Sequence, residues 1–100
     1  MAVTAFTAFH MATQTVSTTA LTLEAFTGIT QEQVNRANRI RITVETQPIR
    51  YRYDGTAPTD TVGHLLPAPS ELILTGTDNV RQFQIIRATA DATIMVTLEE

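Results

Sequence analysis

Apolar and polar residues alternate most strictly in the middle of the chain. In Arg39-Ile40-Arg41-Ile42-Thr43-Val44-Glu45 the aliphatic side chains take every second position, and Ile49-Arg50-Tyr51-Arg52-Tyr53-Asp54 repeats the pattern. A period of two predicts half-buried strands, because successive side chains of an extended backbone leave on opposite faces. Paired as a hairpin with Val44 opposite Ile49, the two strands keep Ile40, Ile42, Val44, Ile49, Tyr51 and Tyr53 on one face. A slip of one residue would carry arginines into the core, so the parity of that register is fixed. A slip of two stays open, since Thr46-Gln47 is not a favoured two-residue turn. Pro48 suits a strand start, where its missing N–H costs least.

Weaker patterns fill the rest. Residues 15–24 predict a strand in which Leu21 and Leu23 alternate with Thr22 and Glu24; Val16 is out of phase, which implies a bulge or two short pieces. Thr27-Gly28 ends it. Thr30, three residues ahead of Gln33, has capping-box spacing and predicts a single helical turn in an otherwise polar connection. A turn-rich loop over 54–60 precedes a short strand at 62–66. Leu72-Ile73-Leu74 runs into a turn over 75–79, and a strand over 80–87 points Phe83 and Ile85 inward with Gln82, Gln84 and Ile86 opposite. The last strand, 92–98, turns Ile94, Val96 and Leu98 inward. Six or seven short strands at this spacing predict a small all-β fold, an antiparallel β-sandwich or barrel.

Residues 1–14 fit that scheme least. Phe6 and Phe9 stand at spacings of three and four from Ala2, Ala5 and Ala12, but the interleaved threonines oppose an isolated helix. The reading adopted is an N-terminal arm over 1–14, packed on another surface, ahead of a single β-domain over 15–100. The competing expectation folds the arm back onto its own sheet.

Composition narrows the chemistry. One hundred residues with 43% hydrophobic and 17% charged side chains suit one modest globular core. With no cysteine, disulfides, thiolate metal sites and cysteine nucleophiles are excluded. No basic residue precedes the first apolar stretch, and no apolar run approaches the ~18 residues of a membrane span. The expectation is a chain made and kept in soluble form, with no membrane contact. His10 and His64 have no ligand partner within their own segments, and neither Ser17 nor Ser70 lies in a nucleophile elbow. Asp54 and Asp60 share a loop but lack EF-hand spacing. No metal, cofactor or catalytic residue is expected, and the chain reads as a non-enzyme.

Charge is unevenly spread. All seven basic residues are arginine, a bias that protein interfaces and GC-rich genomes both produce. Residues 34–53 hold five arginines against Glu45, while the remainder holds two arginines and nine acids. In the hairpin register Arg41 faces Arg52, an opposition that a partner bearing carboxylates or phosphates would relieve. Phe6, Phe9, Arg39, Arg41, Arg50 and Arg52 are therefore the candidate protein-interface residues. Nucleic acid is disfavoured by the acidic balance and by tyrosines that face the core. The same inward tyrosines, with no tryptophan, weaken a carbohydrate-binding reading.

One resemblance bears on function. Ile42-Thr43-Val44-Glu45, the run from Ile49 through Thr59, Val62-Gly63-His64, Leu72-Ile73-Leu74-Thr75-Gly76 and Ala92-Thr93-Ile94-Met95-Val96-Thr97 together resemble small virion structural proteins of tailed bacteriophages. The likeness covers roughly residues 40–98 and contains no catalytic signature. It implies a β-sandwich that decorates (cements) the capsid or sits in the neck or tail. It also implies a homo-oligomer, with the major capsid protein or another virion protein as partner and the virion as location. The expected mechanism is non-covalent cross-linking, with the arm phenylalanines as anchors and the hairpin arginines as orienting charges. A neck or tail adaptor and a carbohydrate-binding sandwich for host attachment are the alternatives.

Overall fold

A computed structural model describes residues 6–100. It contains eight strands: β1 (Ala8–Val16), β2 (Leu21–Thr22), β3 (Arg39–Val44), β4 (Ile49–Arg52), β5 (His64–Leu66), β6 (Ser70–Thr75), β7 (Gln84–Arg87) and β8 (Ala92–Glu99). Two short helices, α1 (Gln31–Arg36) and α2 (Thr77–Gln82), sit in the connections. The strands form two antiparallel four-stranded sheets, ordered β1-β8-β3-β6 and β2-β7-β4-β5. The fold is all-β, in a sandwich-like arrangement.

One apolar cluster joins the sheets. Ile40, Ile42, Val44, Ile94, Val96 and Leu98 enter it from the first sheet, Ile49 and Ile85 from the second, and each is fully buried. These are the residues that the period of two marks as inward. The neighbours differ from the expected hairpin. β3 lies between β8 and β6, pairing Ile42 with Val96 and with Leu72. β4 lies between β7 and β5, pairing Tyr51 with Ile85 and with His64. Residues 45–48 thus cross from one sheet to the other. Thr46 Oγ1 accepts from Thr93 N–H at 3.0 Å, and the Pro48 carbonyl accepts from Ala88 N–H at 3.1 Å. Alternation fixes which face of a strand is buried, and a strand in the opposite sheet satisfies it as well as a hairpin partner does.

The expected arm is also revised. Ala8–Val16 is an edge strand, paired with β8 from Ala8 opposite Glu99 to Val16 opposite Ala92, with an irregularity between Ala8 and His10. The boundary drawn at residue 14 falls inside β1, and the segment packs on its own sheet. Residues 1–5 of that arm lie outside the described residues. The inner row of β1 alternates apolar Ala12 and Val16 with polar His10 and Gln14, which disguises the strand. Both polar side chains reach one loop: His10 Nε2 donates to the Gly28 carbonyl at 2.6 Å, and Gln14 Oε1 accepts from Thr27 N–H at 2.8 Å.

The strand expected over 15–24 divides between the end of β1, the two-residue β2 and a 3-10 turn at Leu23–Ala25. At Thr30 the expected capping box is present, with reciprocal bonds to Gln33 N–H (3.2 Å) and from Thr30 N–H to Gln33 Oε1 (2.9 Å). The turn expected at 75–79 begins α2, and the strand expected from residue 80 starts only at Gln84. A six-residue helix with one buried side chain, Val80, leaves no periodic stripe to read.

Candidate functional site

The outer face of the first sheet follows from the register. One row across it is Met11, Thr97, Arg41 and Ile73; the next is Thr13, Met95, Thr43 and Glu71. Met11 is 57% exposed and Ile73 44%. Arg41 donates to Glu71 Oε2 at 3.0 Å, so the arginine expected to face Arg52 is matched by an acid on β6 instead.

The two ends of the chain close one corner of this sheet. Thr7 and Glu100 exchange backbone hydrogen bonds of 2.8 and 2.9 Å, extending the β1–β8 pairing by one step. The Arg39 guanidinium lies 4.0 Å from the centroid of the Phe6 ring and also donates to Glu99. Arg36 repeats the arrangement, 4.2 Å from the Phe9 ring centroid and donating to both Glu100 oxygens at 2.6 and 2.5 Å. That contact holds the Glu100 carboxyl below its ordinary range. Stacking of this kind contributes about 0.5–1 kcal/mol at exposed sites. Phe6 and Phe9, each half-buried, thus brace the chain's own arginines. Glu99 and Glu100, which complete the corner, have no local signal in the sequence; only the adjacency of β1, β8 and β3 brings them to Arg36 and Arg39.

Arg50 and Arg52 belong to the second sheet, so the six candidate residues do not form one surface. Arg50 holds the loop after β4: its Nε donates to the Asp60 carbonyl and its Nη1 to the Gly63 carbonyl, each at 3.0 Å. The loop crosses the outer face of that sheet. Buried Pro58 lines one cavity on that face together with Ile86, which is buried although it points away from the core. Gly63 closes the loop at φ 138°, where a Cβ would lie 3.1 Å from the Tyr51 carbonyl oxygen and 3.2 Å from the Pro58 Cβ. Only glycine fits there.

Arg52 pairs with Asp54, through Nε at 3.1 Å and Nη2 at 2.5 Å, and Asp54 Oδ1 also accepts from Thr56 N–H at 3.2 Å. These bonds, Arg52 first, lower the Asp54 carboxyl from an ordinary 3.8 to about 2. A lowered acid contributes stability above its unfolded value and loses it as pH falls through the folded one, so this contribution disappears between about pH 4 and pH 2. Replacing Arg52 by glutamine is expected to move the Asp54 midpoint up towards 3.8, as followed by carboxyl-carbon NMR; a midpoint still near 2 would assign the shift to Thr56 instead.

Beside this pair lies a cleft of about 390 Å3, lined by Tyr53, His64, Val62, Gly63 and Asn79 together with Arg52 and Asp54. Tyr51 anchors its aromatic wall, with ring centroids 5.8 Å from Phe83, 5.3 Å from His64 and 6.2 Å from Tyr53. Burial, and then the Tyr53 phenol, push the Tyr51 hydroxyl up. Tyr53 was expected in the core with Tyr51, yet it is 39% exposed. β4 ends at Arg52, one residue short, so Tyr53 passes the last ladder bond and stands at the rim. The ground for setting carbohydrate aside, two inward tyrosines, holds for Tyr51 alone.

Comparison with protein-family models, with curated proteins and with solved structures finds no match for this chain. The remaining polar candidates are engaged locally: Ser17 Oγ donates to Asp91 Oδ1 at 2.9 Å, and Ser70 Oγ donates to the Pro67 carbonyl. Ser17 and Arg87 together lower the Asp91 carboxyl.

Proposed function

We propose that this chain is a non-enzymatic structural protein of a tailed-phage virion, a decoration (cement) subunit that docks on the capsid lattice and associates with copies of itself. The resemblance over residues 40–98 supplies the class. The observation that carries the assembly role is β1. It is an edge strand of nine residues with no Asp, Glu, Arg, Lys or Pro. Natural sheets block their edges with short strands, charges or prolines, because an open edge recruits another strand. The other three edges are managed in that way: β2 has two residues, β5 has three, and β6 carries Glu71 just after Pro67 and Pro69.

The mechanism replaces the charge-led one expected from the sequence. All seven arginines have internal partners: Arg36, Arg39, Arg41, Arg52, Arg81 and Arg87 are ion-paired, and Arg50 is bound to loop carbonyls. Pairing of β1 with the same strand of a second copy gives backbone hydrogen bonds for affinity; Met11 and Thr13 lie at that seam, and Ile73, on the far edge strand β6, shares their outer face for contact with the shell. A neck or tail adaptor would use the same surface.

Light scattering on the eluting protein tests the edge. The wild type is expected to elute as a multiple of 11.0 kDa. Thr13→Lys, which puts a charge on an exposed edge position, is expected to elute as a folded monomer. A wild type that stays at 11.0 kDa across the concentration range removes β1 from the mechanism.

A further inference from the structure

The cleft beside Tyr53 belongs to the second sheet and plays no part in the β1 seam. Its chemistry points to a ligand. Tyr53 and His64, both exposed, stand with centroids 6.0 Å apart and planes 27° from parallel, which makes a stepped aromatic wall. Tyr51 and buried Phe83 back this wall and fix its position. A preformed platform of this kind costs a ligand little ordering.

The same cleft is lined by groups with hydrogen-bonding capacity to spare. A guanidinium carries five N–H groups, and Arg52 gives two to Asp54. A carboxylate has about four lone-pair positions, and Asp54 uses three. Asn79 donates its Nδ2 to the Thr75 carbonyl at 3.0 Å, so its Oδ1 faces no partner among the described residues. The cleft thus offers donors and acceptors side by side on a pair whose charges cancel. A phosphate or carboxylate ligand would have to compete with Asp54 for Arg52. An uncharged ring with an apolar C–H face and a rim of hydroxyls, each able to donate and accept, matches both walls. The volume, about 390 Å3, is at the small end of ligand pockets (~300–1,000 Å3) and suits one or two sugar rings.

We infer that the cleft between Tyr53, His64 and the Arg52–Asp54 pair binds a neutral saccharide, with a pyranose face on the rings and its hydroxyls on the ion pair and Asn79. This site is independent of the assembly reading, and either stands if the other fails.

The test is an amide and aromatic NMR titration of the full chain with the methyl glycosides of glucose, galactose, mannose, N-acetylglucosamine and N-acetylgalactosamine. Inorganic phosphate and acetate serve as anion probes. At least one glycoside is expected to shift Tyr53, His64 and Asn79 together, saturating in the millimolar range (about 1–10 mM). Tyr53→Phe is expected to keep that affinity within about two-fold, and Tyr53→Ala to lose roughly ten-fold. Asp54→Asn, at an exposed position, weakens it with the fold intact. No shift at these residues from any of the five glycosides overturns the assignment. So does unchanged affinity in Tyr53→Ala, or saturable binding of phosphate with none of the sugars.

Discussion

A chain lacking residues 1–12 is expected to lose most of its folding stability, rather than only its grip on a partner. The deletion removes Ala8, His10, Met11 and Ala12 from their pairing with Glu99, Leu98, Thr97 and Val96. It bares one side of Val96 and Leu98, which are fully buried, and each such side chain contributes about 1.5–3 kcal/mol when covered. The Phe6–Arg39 and Phe9–Arg36 stacks go with it. Lost ladder hydrogen bonds add about 1 kcal/mol each. Together these approach the ~5–15 kcal/mol by which a domain of this size is stable. At ~4–8 °C per kcal/mol, thermal unfolding followed by circular dichroism is expected to show a midpoint lowered by about 20 °C or more, or no cooperative transition. A midpoint within a few degrees of the full-length chain would mean that residues 6–12 are a dispensable arm after all.

Phe83→Ala is expected to cost about 3–5 kcal/mol, the usual range for emptying a buried phenylalanine site. Phe83 is fully buried between α2 and β7, its N–H bonds the Val80 carbonyl, and its ring packs against Tyr51. Its removal therefore acts twice, opening a cavity in the core and loosening the wall behind Tyr53 and His64. Chemical denaturation should show the full loss, and Phe83→Leu should recover more than half of it. A loss under about 1 kcal/mol would show that the core closes over the vacancy.

Which side chains are inward was largely legible in the sequence; which strands are neighbours was not. Ile40, Ile42, Val44, Ile49, Phe83, Ile85, Ile94, Val96 and Leu98 are all marked by alternation and all fully buried. The pattern carries no information on whether β3 and β4 pair or face each other across a core, and they face each other. β1 and α2 escaped for other reasons. β1 hides its period because His10 and Gln14 take inward positions and satisfy themselves on Gly28 and Thr27, a compensation supplied from more than ten residues away. α2 buries only Val80. The capping box at Thr30 was readable because its chemistry is local and reciprocal.

The candidate interface was only partly readable. Five arginines between residues 34 and 53 look like one charged patch in a hairpin, but two sheets divide them: distant acids pair with Arg36, Arg39 and Arg41, nearby Asp54 pairs with Arg52, and Arg50 is bound to loop carbonyls. Glu71, Glu99 and Glu100 lie 30 to 64 residues from the arginines they bind. What the proposal uses instead is the uncharged β1 edge with the threonines and methionines of β1 and β8 beside it, a feature visible only once the strand order is known.

Cryo-electron microscopy of tailed-phage virions assembled with the labelled chain is the direct test of the proposed structural role. Copies are expected at regular sites on the capsid lattice, as paired four-stranded sheets with the Met11 and Ile73 face against the shell and β1 at the seam between neighbouring copies. Purified virions that lack the chain altogether, with the protein left free and monomeric in the lysate, would contradict it.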